Sequence, residues 1–101
     1  MQGTTKTGFQ FDVDERKANS WSLVEKIASL KSSTSQLDIF ATAIEIINVL
    51  IGEEQKKKLV AHVTELQGYD DADMITDEIF EILGKAREAK ELKNSSSSPV
   101  V

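Results

Sequence analysis

The most apolar part of the sequence, residues 37–51 (LDIFATAIEIINVLI), predicts a helix. Its polar residues follow at steps of four, three and three, so at about 3.6 residues per turn they form one narrow stripe: Asp38, Thr42, Glu45 and Asn48. Ser35 and Asp38 resemble a capping box that opens this helix, and Gly52 closes it, since a left-handed residue costs glycine no steric penalty. A helix this apolar must be covered on several sides. We therefore expect that flanking helices enclose it or that part of it contacts another molecule.

Near the N-terminus, alternating apolar and polar residues predict an extended segment. Phe9, Phe11 and Val13 alternate with polar residues, which is the period-two pattern of a half-buried strand. Residues 1–7 are polar and contain glycine, so they are expected to form a mobile lead-in. No second strand is predicted. The arm therefore either docks on its own helices, which is the favoured interpretation, or pairs its backbone with another protomer.

A first helix is predicted to begin near Trp21, because Asn19 or Ser20 can accept a hydrogen bond from the free amides at its start. Its apolar face is predicted to consist of Trp21, Val24, Ile27 and Ala28. The hydroxyl-rich segment 31–35 (KSSTS) that follows predicts a loop.

Two more helices are predicted after Gly52. The third spans residues 53–67, and its apolar side consists of Leu59, Val60, Val63 and Leu66. The fourth begins near Asp71 or Asp73, whose carboxylates suit the positive end of the helix dipole. Its apolar stripe consists of Ile75, Ile79, Ile82, Leu83 and Ala86, with Phe80 at the edge. Gly84, in mid-helix, costs about 1 kcal/mol relative to alanine, so residues 85–93 are expected to fray or bend away.

Together these elements predict a mainly α fold, a small bundle of about four helices with an extended N-terminal arm and a disordered C-terminal tail. We place the arm at residues 1–18, the helical domain at 19–92 and the Ser-rich tail at 93–101, where no periodic pattern offers burial to offset the entropy of ordering. The chain has 101 residues, enough for one domain with a single small core.

The charge and composition exclude several classes of partner. The formal net charge is −5, so the long-range field repels nucleic acid and anionic lipid, and neither is expected as a partner. No apolar run approaches the roughly 20 residues that span a bilayer, and residues 1–9 lack a signal peptide's apolar region. There is no cysteine for a disulfide or a thiolate metal site. These features indicate a soluble cytoplasmic protein.

Candidate catalytic and metal-binding residues are few. His62 is the single histidine and is predicted to lie at the surface or at the boundary of the core. Asp70, Asp71 and Asp73 lack the glycine and the distal glutamate of a calcium loop, so helix capping is the favoured interpretation. Gly52 and Gly68 form no phosphate-binding pattern. We therefore predict no catalytic, cofactor-binding or metal site, and we expect that the protein is not an enzyme.

The basic triplet Lys56, Lys57 and Lys58 is the main argument for nucleic-acid binding. Three consecutive helical residues spread over most of a turn, and Glu53 and Glu54 lie nearby, so a solvated face is the favoured interpretation. A small helical adaptor or regulatory protein that binds nucleic acid or another protein remains the alternative.

The sequence contains more apolar surface than four short helices are expected to hide. Leaving such side chains in water costs about 25 cal/mol per Å² unless a partner covers them, which favours a binding or assembly protein. The residues predicted to contact a partner or a second copy of the chain are Phe9, Phe11, Trp21, Phe40, Ile47 and Leu50.

Several segments, in order along the chain, resemble tail assembly chaperones of long, flexible-tailed bacteriophages. They are TGFQFDVDER (residues 7–16), a helix start at Trp21, LIGEEQKKKL (50–59) and KNSSSSP (93–99). The linker QGYDDADM (67–74) departs from the family pattern, in which this connection contains glycine, arginine and proline.

This resemblance implies a small, non-catalytic, cofactor-free helical protein made in the host cell cytoplasm. It would bind the tape measure protein and keep it soluble until tail tube subunits polymerise around it, and it would be absent from the mature virion. The partners implied are the tape measure protein and the tail tube protein, and the apolar surface of the chain also favours self-association.

Overall fold

A computed structural model describes residues 1–32 and 35–97, which form four helices and a short hairpin. The fold is mainly α, as the sequence predicts. A short 3₁₀ turn at Lys17–Asn19 precedes the first helix. The elements are β1 Gln2–Thr4, β2 Gln10–Asp12, α1 Trp21–Lys31, α2 Gln36–Leu50, α3 Gly52–Gln67 and α4 Ala72–Ser97.

Parts of two predicted segments fall outside the described residues. Helix α4 includes residues 93–97 of the predicted Ser-rich tail, and the rest of that tail, 98–101, lies outside the described part of the chain. In the predicted loop between the first two helices, residues 33 and 34 likewise lie outside it.

A second strand is present at the N-terminus, contrary to the sequence prediction. Strand β1 pairs antiparallel with β2, and Gly3 lies opposite Phe11. The turn is closed by the Thr5 amide, which donates to the Phe9 carbonyl at 2.9 Å, and Gly8 adopts a left-handed φ of 96° within it. Residues 1–7 are therefore not a mobile lead-in. The prediction was wrong because β1 is short and has no alternating apolar residues, so it gives no period-two signal.

The hairpin docks on the helices of its own chain, which confirms the favoured interpretation of the arm. Phe9, Phe11 and Val13 are all buried in the single core of the protein. On the other side of β2, the Gln55 side-chain amide bonds to the Asp12 backbone N–H at 2.8 Å and to its carbonyl at 2.7 Å. Gln55 thus satisfies part of the free edge of β2, which would otherwise be open to another strand.

The turn that follows β2 carries an exposed ion pair between Asp14 and Arg16. The Arg16 side chain and backbone N–H donate to the Asp14 carboxylate, which lowers the pKa of Asp14 to about 2. Since this pKa lies below that of an unfolded aspartate, any stability from the pair is present above about pH 4 and is lost as the pH falls toward 2.

Helix α1 begins as predicted but buries a different face. The Ser20 hydroxyl accepts a hydrogen bond from the Leu23 amide at 3.3 Å, which makes Ser20 the N-cap. Leu23 is fully buried, and Ile27 and Leu30 pack partly against the core. The predicted face is therefore wrong at Trp21, which is 75% exposed, and at Ala28, which is also exposed. The helix instead packs on the core through Leu23, Ile27 and Leu30, which lie at helical spacing.

Helix α2 lies at the centre of the bundle and packs against α1, α3 and α4. Its inner side is fully or almost fully buried: Ala43, Ile46, Ile47 and Leu50. Ser35 occupies the N-cap position without a side-chain capping bond, so the Ser35 half of the predicted capping box is absent. Gly52 adopts the predicted left-handed conformation at the junction with α3, with a φ of 82°.

Helices α3 and α4 meet the core along their predicted stripes. Leu59 and Val63 of α3 are buried, whereas Leu66 is exposed. The Asp71 carboxylate accepts a bond from the Asp73 amide at 3.0 Å and thereby caps α4. The buried residues of α4 include the predicted Ile79, Ile82, Leu83 and Ala86.

Helix α4 stays attached to the domain beyond Gly84. Ala86 is buried, and the Arg87 side chain donates a hydrogen bond of 2.8 Å to the Ala18 carbonyl. The expectation that the helix leaves the bundle directly after Gly84 is therefore wrong. These two contacts offset the weakening that a mid-helix glycine causes.

We predict opposite effects of adding one methyl group at two glycines. A Cβ on Gly3 would lie 2.5 Å from Cζ of the Phe11 ring, whereas a Cβ on Gly84 meets no atom within 4 Å. Gly3→Ala should therefore lower the free energy of unfolding by about 1–3 kcal/mol through overpacking. Gly84→Ala should raise it by roughly 0.5–1 kcal/mol through helix propensity. Urea denaturation of both variants checks this; no loss of stability in Gly3→Ala would mean that the hairpin is not held against the core.

Candidate functional site

An apolar groove of about 300 Å³ opens between α2, α3 and α4. Its walls and floor come from one side of α2 and from the facing residues of the other two helices. We call this site the α2 groove, and its apolar lining consists of Phe40, Ala43, Ile44, Ile47, Val60, Ala72, Ile75 and Ile79.

The groove exists because α2 is apolar on more sides than its neighbours cover. Ala43, Ile47 and Ile79 are buried and form its floor, while Phe40 remains partly exposed. Ile44 is 49% exposed and so presents a large apolar side chain to solvent at the groove. Exposed apolar surface of this kind, next to a cavity, is typical of a protein-binding site.

The polar rim of the α2 groove is unevenly charged. Lys56 lies on the α3 side and forms an ion pair of 3.4 Å with Glu53. Asp70 lies in the turn between α3 and α4 and is exposed. Beside this turn, the Gln36 side-chain amide donates to Asp73 at 2.9 Å, which links the first turns of α2 and α4. Negative charge therefore dominates the end of the groove at the α3–α4 turn.

Only two of the six predicted contact residues lie in the groove, Phe40 and Ile47. Trp21 is strongly exposed at the start of α1 but is not part of the groove lining. The other three, Phe9, Phe11 and Leu50, are buried in the core, so they have no surface for a partner in this structure. They are corrected to core residues: the hairpin brings the two phenylalanines inside, and Leu50 lies on the inner side of α2.

Three groove residues could not be assigned to a site from the sequence. Val60 and Ile75 were predicted as members of apolar stripes, and nothing in the pattern distinguishes a groove wall from the core. Ile44 belongs to the apolar arc of α2, and its partial exposure depends on how α3 and α4 pack beside it. The excess of apolar residues on α2 was the available signal that some of this helix stays open.

A second cluster of polar side chains joins the hairpin to α3 and α4. The hydroxyls of Thr5 and Thr7 each donate to the same oxygen of Glu78 at 2.6 Å. His62 Nε2 lies 2.9 Å from the Thr7 oxygen. Because the Thr7 proton is used by Glu78, the Thr7 oxygen accepts from His62, which assigns a proton to Nε2. We call these four residues the hairpin latch.

The hairpin latch satisfies a carboxylate that is almost fully buried, since Glu78 is only 3% exposed. The Phe9 amide donates to the Thr5 oxygen at 3.2 Å, and the Phe9 ring lies 5.7 Å from the His62 ring. The hydroxyls of Thr5 and Thr7 and one oxygen of Glu78 thus all have partners, which buried polar groups require. His62 is half-buried at the edge of the core, as predicted. The sequence signal for the burial of Glu78 was its position three residues after Ile75 and four before Ile82, on the buried face of α4.

Among the residues that the structure describes, no three histidine or carboxylate side chains are arranged to hold a metal ion. Within residues 1–32 and 35–97, no helix combines the length and apolar composition needed to cross a lipid bilayer.

A comparison of the chain with protein-family models, curated proteins and solved structures finds no match. The resemblance to tail assembly chaperones therefore stays a prediction, carried by the sequence segments that resemble that family.

We predict that removing one hydroxyl of the hairpin latch destabilises the fold. Thr7→Val deprives His62 and Glu78 of a hydrogen-bond partner, which should lower the free energy of unfolding by about 1–3 kcal/mol. Thr64→Val is the matched control, because the exposed Thr64 hydroxyl only bonds to the Val60 carbonyl of its own helix, at 2.7 Å. The control should change stability by less than about 0.5 kcal/mol. Urea denaturation measures both, and equal effects would contradict a special role for the latch.

Proposed function

We propose that this protein is a non-catalytic tail assembly chaperone of a long, flexible-tailed bacteriophage, which holds an apolar helical segment of the tape measure protein in the α2 groove. The single observation that carries the proposal is the apolar groove on α2, the helix whose apolar excess pointed to a partner. The sequence resemblance supplies the identity of the partner. Binding of an amphipathic helix in a groove between helices is a common mode of peptide recognition.

The size of the groove suits a transient contact. A volume of about 300 Å³ accommodates a few side chains and lies at the lower limit of typical binding pockets. Each apolar side chain buried there contributes about 1.5–3 kcal/mol, and the entropy of association offsets part of the total. A contact of this strength would protect the tape measure protein and still release it when tail tube subunits polymerise, so the chaperone would be absent from the mature virion.

The charge of the chain also fits this role in the host cytoplasm. A formal net charge of −5 keeps the protein apart from nucleic acid and favours the solubility of a complex that carries an apolar client. The alternative adaptor that binds nucleic acid has less support. Lys56, one of three candidate cations, lines the apolar groove and pairs with Glu53, which leaves Lys57 and Lys58 as the exposed members of the triplet.

Co-expression with the tape measure protein of the same phage tests the proposal. Ile44→Asp places a charge at the groove and should reduce the soluble yield of the tape measure protein several-fold, since the client must then desolvate a carboxylate. Leu37→Asp is the matched control: Leu37 lies on the same helix, is 76% exposed and is outside the groove lining. Circular dichroism verifies that both variants stay folded. Equal client yields with both variants would refute binding in this groove.

Trp21 is proposed as a further contact for the partner or for a second copy of the chain. Its side chain is three-quarters exposed, and large exposed aromatic residues are enriched at protein interfaces. In the same assay, we expect Trp21→Ala to lower the client yield or, by light scattering, to reduce self-association. A variant that leaves both unchanged would remove Trp21 from the binding surface.

A further inference from the structure

We infer that the α2 groove selects a basic amphipathic helix, one whose apolar face enters the groove while a lysine or arginine at its edge meets Asp70. Because this inference deepens the proposed function, it rests on the same groove, but it does not depend on which protein supplies the helix. It specifies the chemistry of the ligand: an apolar face flanked by positive charge.

The charges on the two sides of the groove differ in how well they are compensated. Lys56 is already paired with Glu53, and its side chain is only 24% exposed. Asp70 is exposed, and within residues 1–32 and 35–97 it has neither an ion pair nor a side-chain hydrogen bond. Asp73, beside the same turn, accepts a bond from an uncharged amide, so its charge is not neutralised. A helix lying in the groove thus meets uncompensated negative charge at the α3–α4 turn.

This arrangement favours a cation on the ligand and penalises an anion. An exposed ion pair with Asp70 is worth a modest gain, and the field of a chain with a formal net charge of −5 adds to it at low salt. A ligand with an acidic edge would face repulsion from the same groups. We therefore expect the apolar face to provide most of the affinity and the charge to provide selectivity that weakens with salt.

A second copy of this chain is a poorer occupant of the groove. Two copies each carry a formal net charge of −5, so their approach is opposed by like-charge repulsion. Self-association through the groove is therefore an outcome that would count against the inference.

Two synthetic peptides test the selectivity directly. Both are amphipathic helices of the same length with an identical leucine face, one with lysine and the other with glutamate at the polar positions. With the full chain at low salt, fluorescence anisotropy should show the lysine peptide binding at least about tenfold more tightly than the glutamate peptide. Raising the salt to 0.5 M should narrow this ratio.

Matched variants distinguish binding in the groove from general attraction between opposite charges. Asp70→Asn should weaken binding of the lysine peptide by about two- to fivefold. Glu65→Gln makes the same change in net charge at an exposed position of α3 outside the groove lining, and should have a smaller effect. Ile44→Asp should strongly weaken the binding of the lysine peptide, and Leu37→Asp should leave it near that of the parent. If Ile44→Asp disturbs the fold, Ile44→Ala is used in its place, and it should likewise weaken the binding of the lysine peptide.

The results that overturn the inference are distinct from those that overturn the proposed function. Equal affinity for the two peptides, equal effects of Asp70→Asn and Glu65→Gln, or a groove-dependent dimer in light scattering would refute selection of a basic helix. If the lysine peptide behaves as expected while Ile44→Asp leaves the tape measure protein fully soluble, the inference stands and the proposed client is wrong. If neither peptide binds the parent chain, the groove is not a helix-binding site.

Discussion

The whole domain depends on the burial of one helix, α2. Its inner residues, Ala43, Ile46, Ile47 and Leu50, are almost completely removed from water, and α1, α3 and α4 all pack against it. Full burial of each large aliphatic side chain contributes about 1.5–3 kcal/mol, so this helix supplies a large share of the hydrophobic stabilisation of a small core. The three other helices have buried stripes on one side only, and α2 is the common surface on which those stripes meet.

The N-terminal hairpin completes the core on another side, and it does so by combining apolar and polar contacts. Phe9, Phe11 and Val13 fill the core, while Thr5 and Thr7 bring their hydroxyls to the buried Glu78. A buried carboxylate is costly unless hydrogen bonds compensate it, so docking of the hairpin and burial of Glu78 depend on each other. Burial of the apolar residues holds the hairpin against the core, and the hydrogen bonds of the hairpin latch fix its position on α3 and α4.

The same apolar excess that stabilises the core leaves a functional surface. The helices around α2 cover most of its circumference, but Ile44 and part of Phe40 remain open at the α2 groove. The sequence led us to expect a larger exposed surface, and the hairpin accounts for the difference because Phe9 and Phe11 fold inward. What remains is a small, defined groove with an acidic edge, which is better suited to selective and reversible binding than a broad apolar face.

The sequence alone determined the mainly α fold, the helix boundaries near Ser20 and Gly52, and the buried stripe of α4, because capping, glycine conformation and periodicity are local properties. It also indicated that α2 has more apolar surface than its neighbours can hide.

Tertiary structure decided which apolar residues lie in the core and which line the groove. Phe11 and Phe40 have the same side chain, yet Phe11 is buried in the core with residues distant along the chain, whereas Phe40 lines the α2 groove. Strand β1 and the partners of Glu78 could not be predicted from the sequence either, since both depend on contacts between residues far apart along the chain.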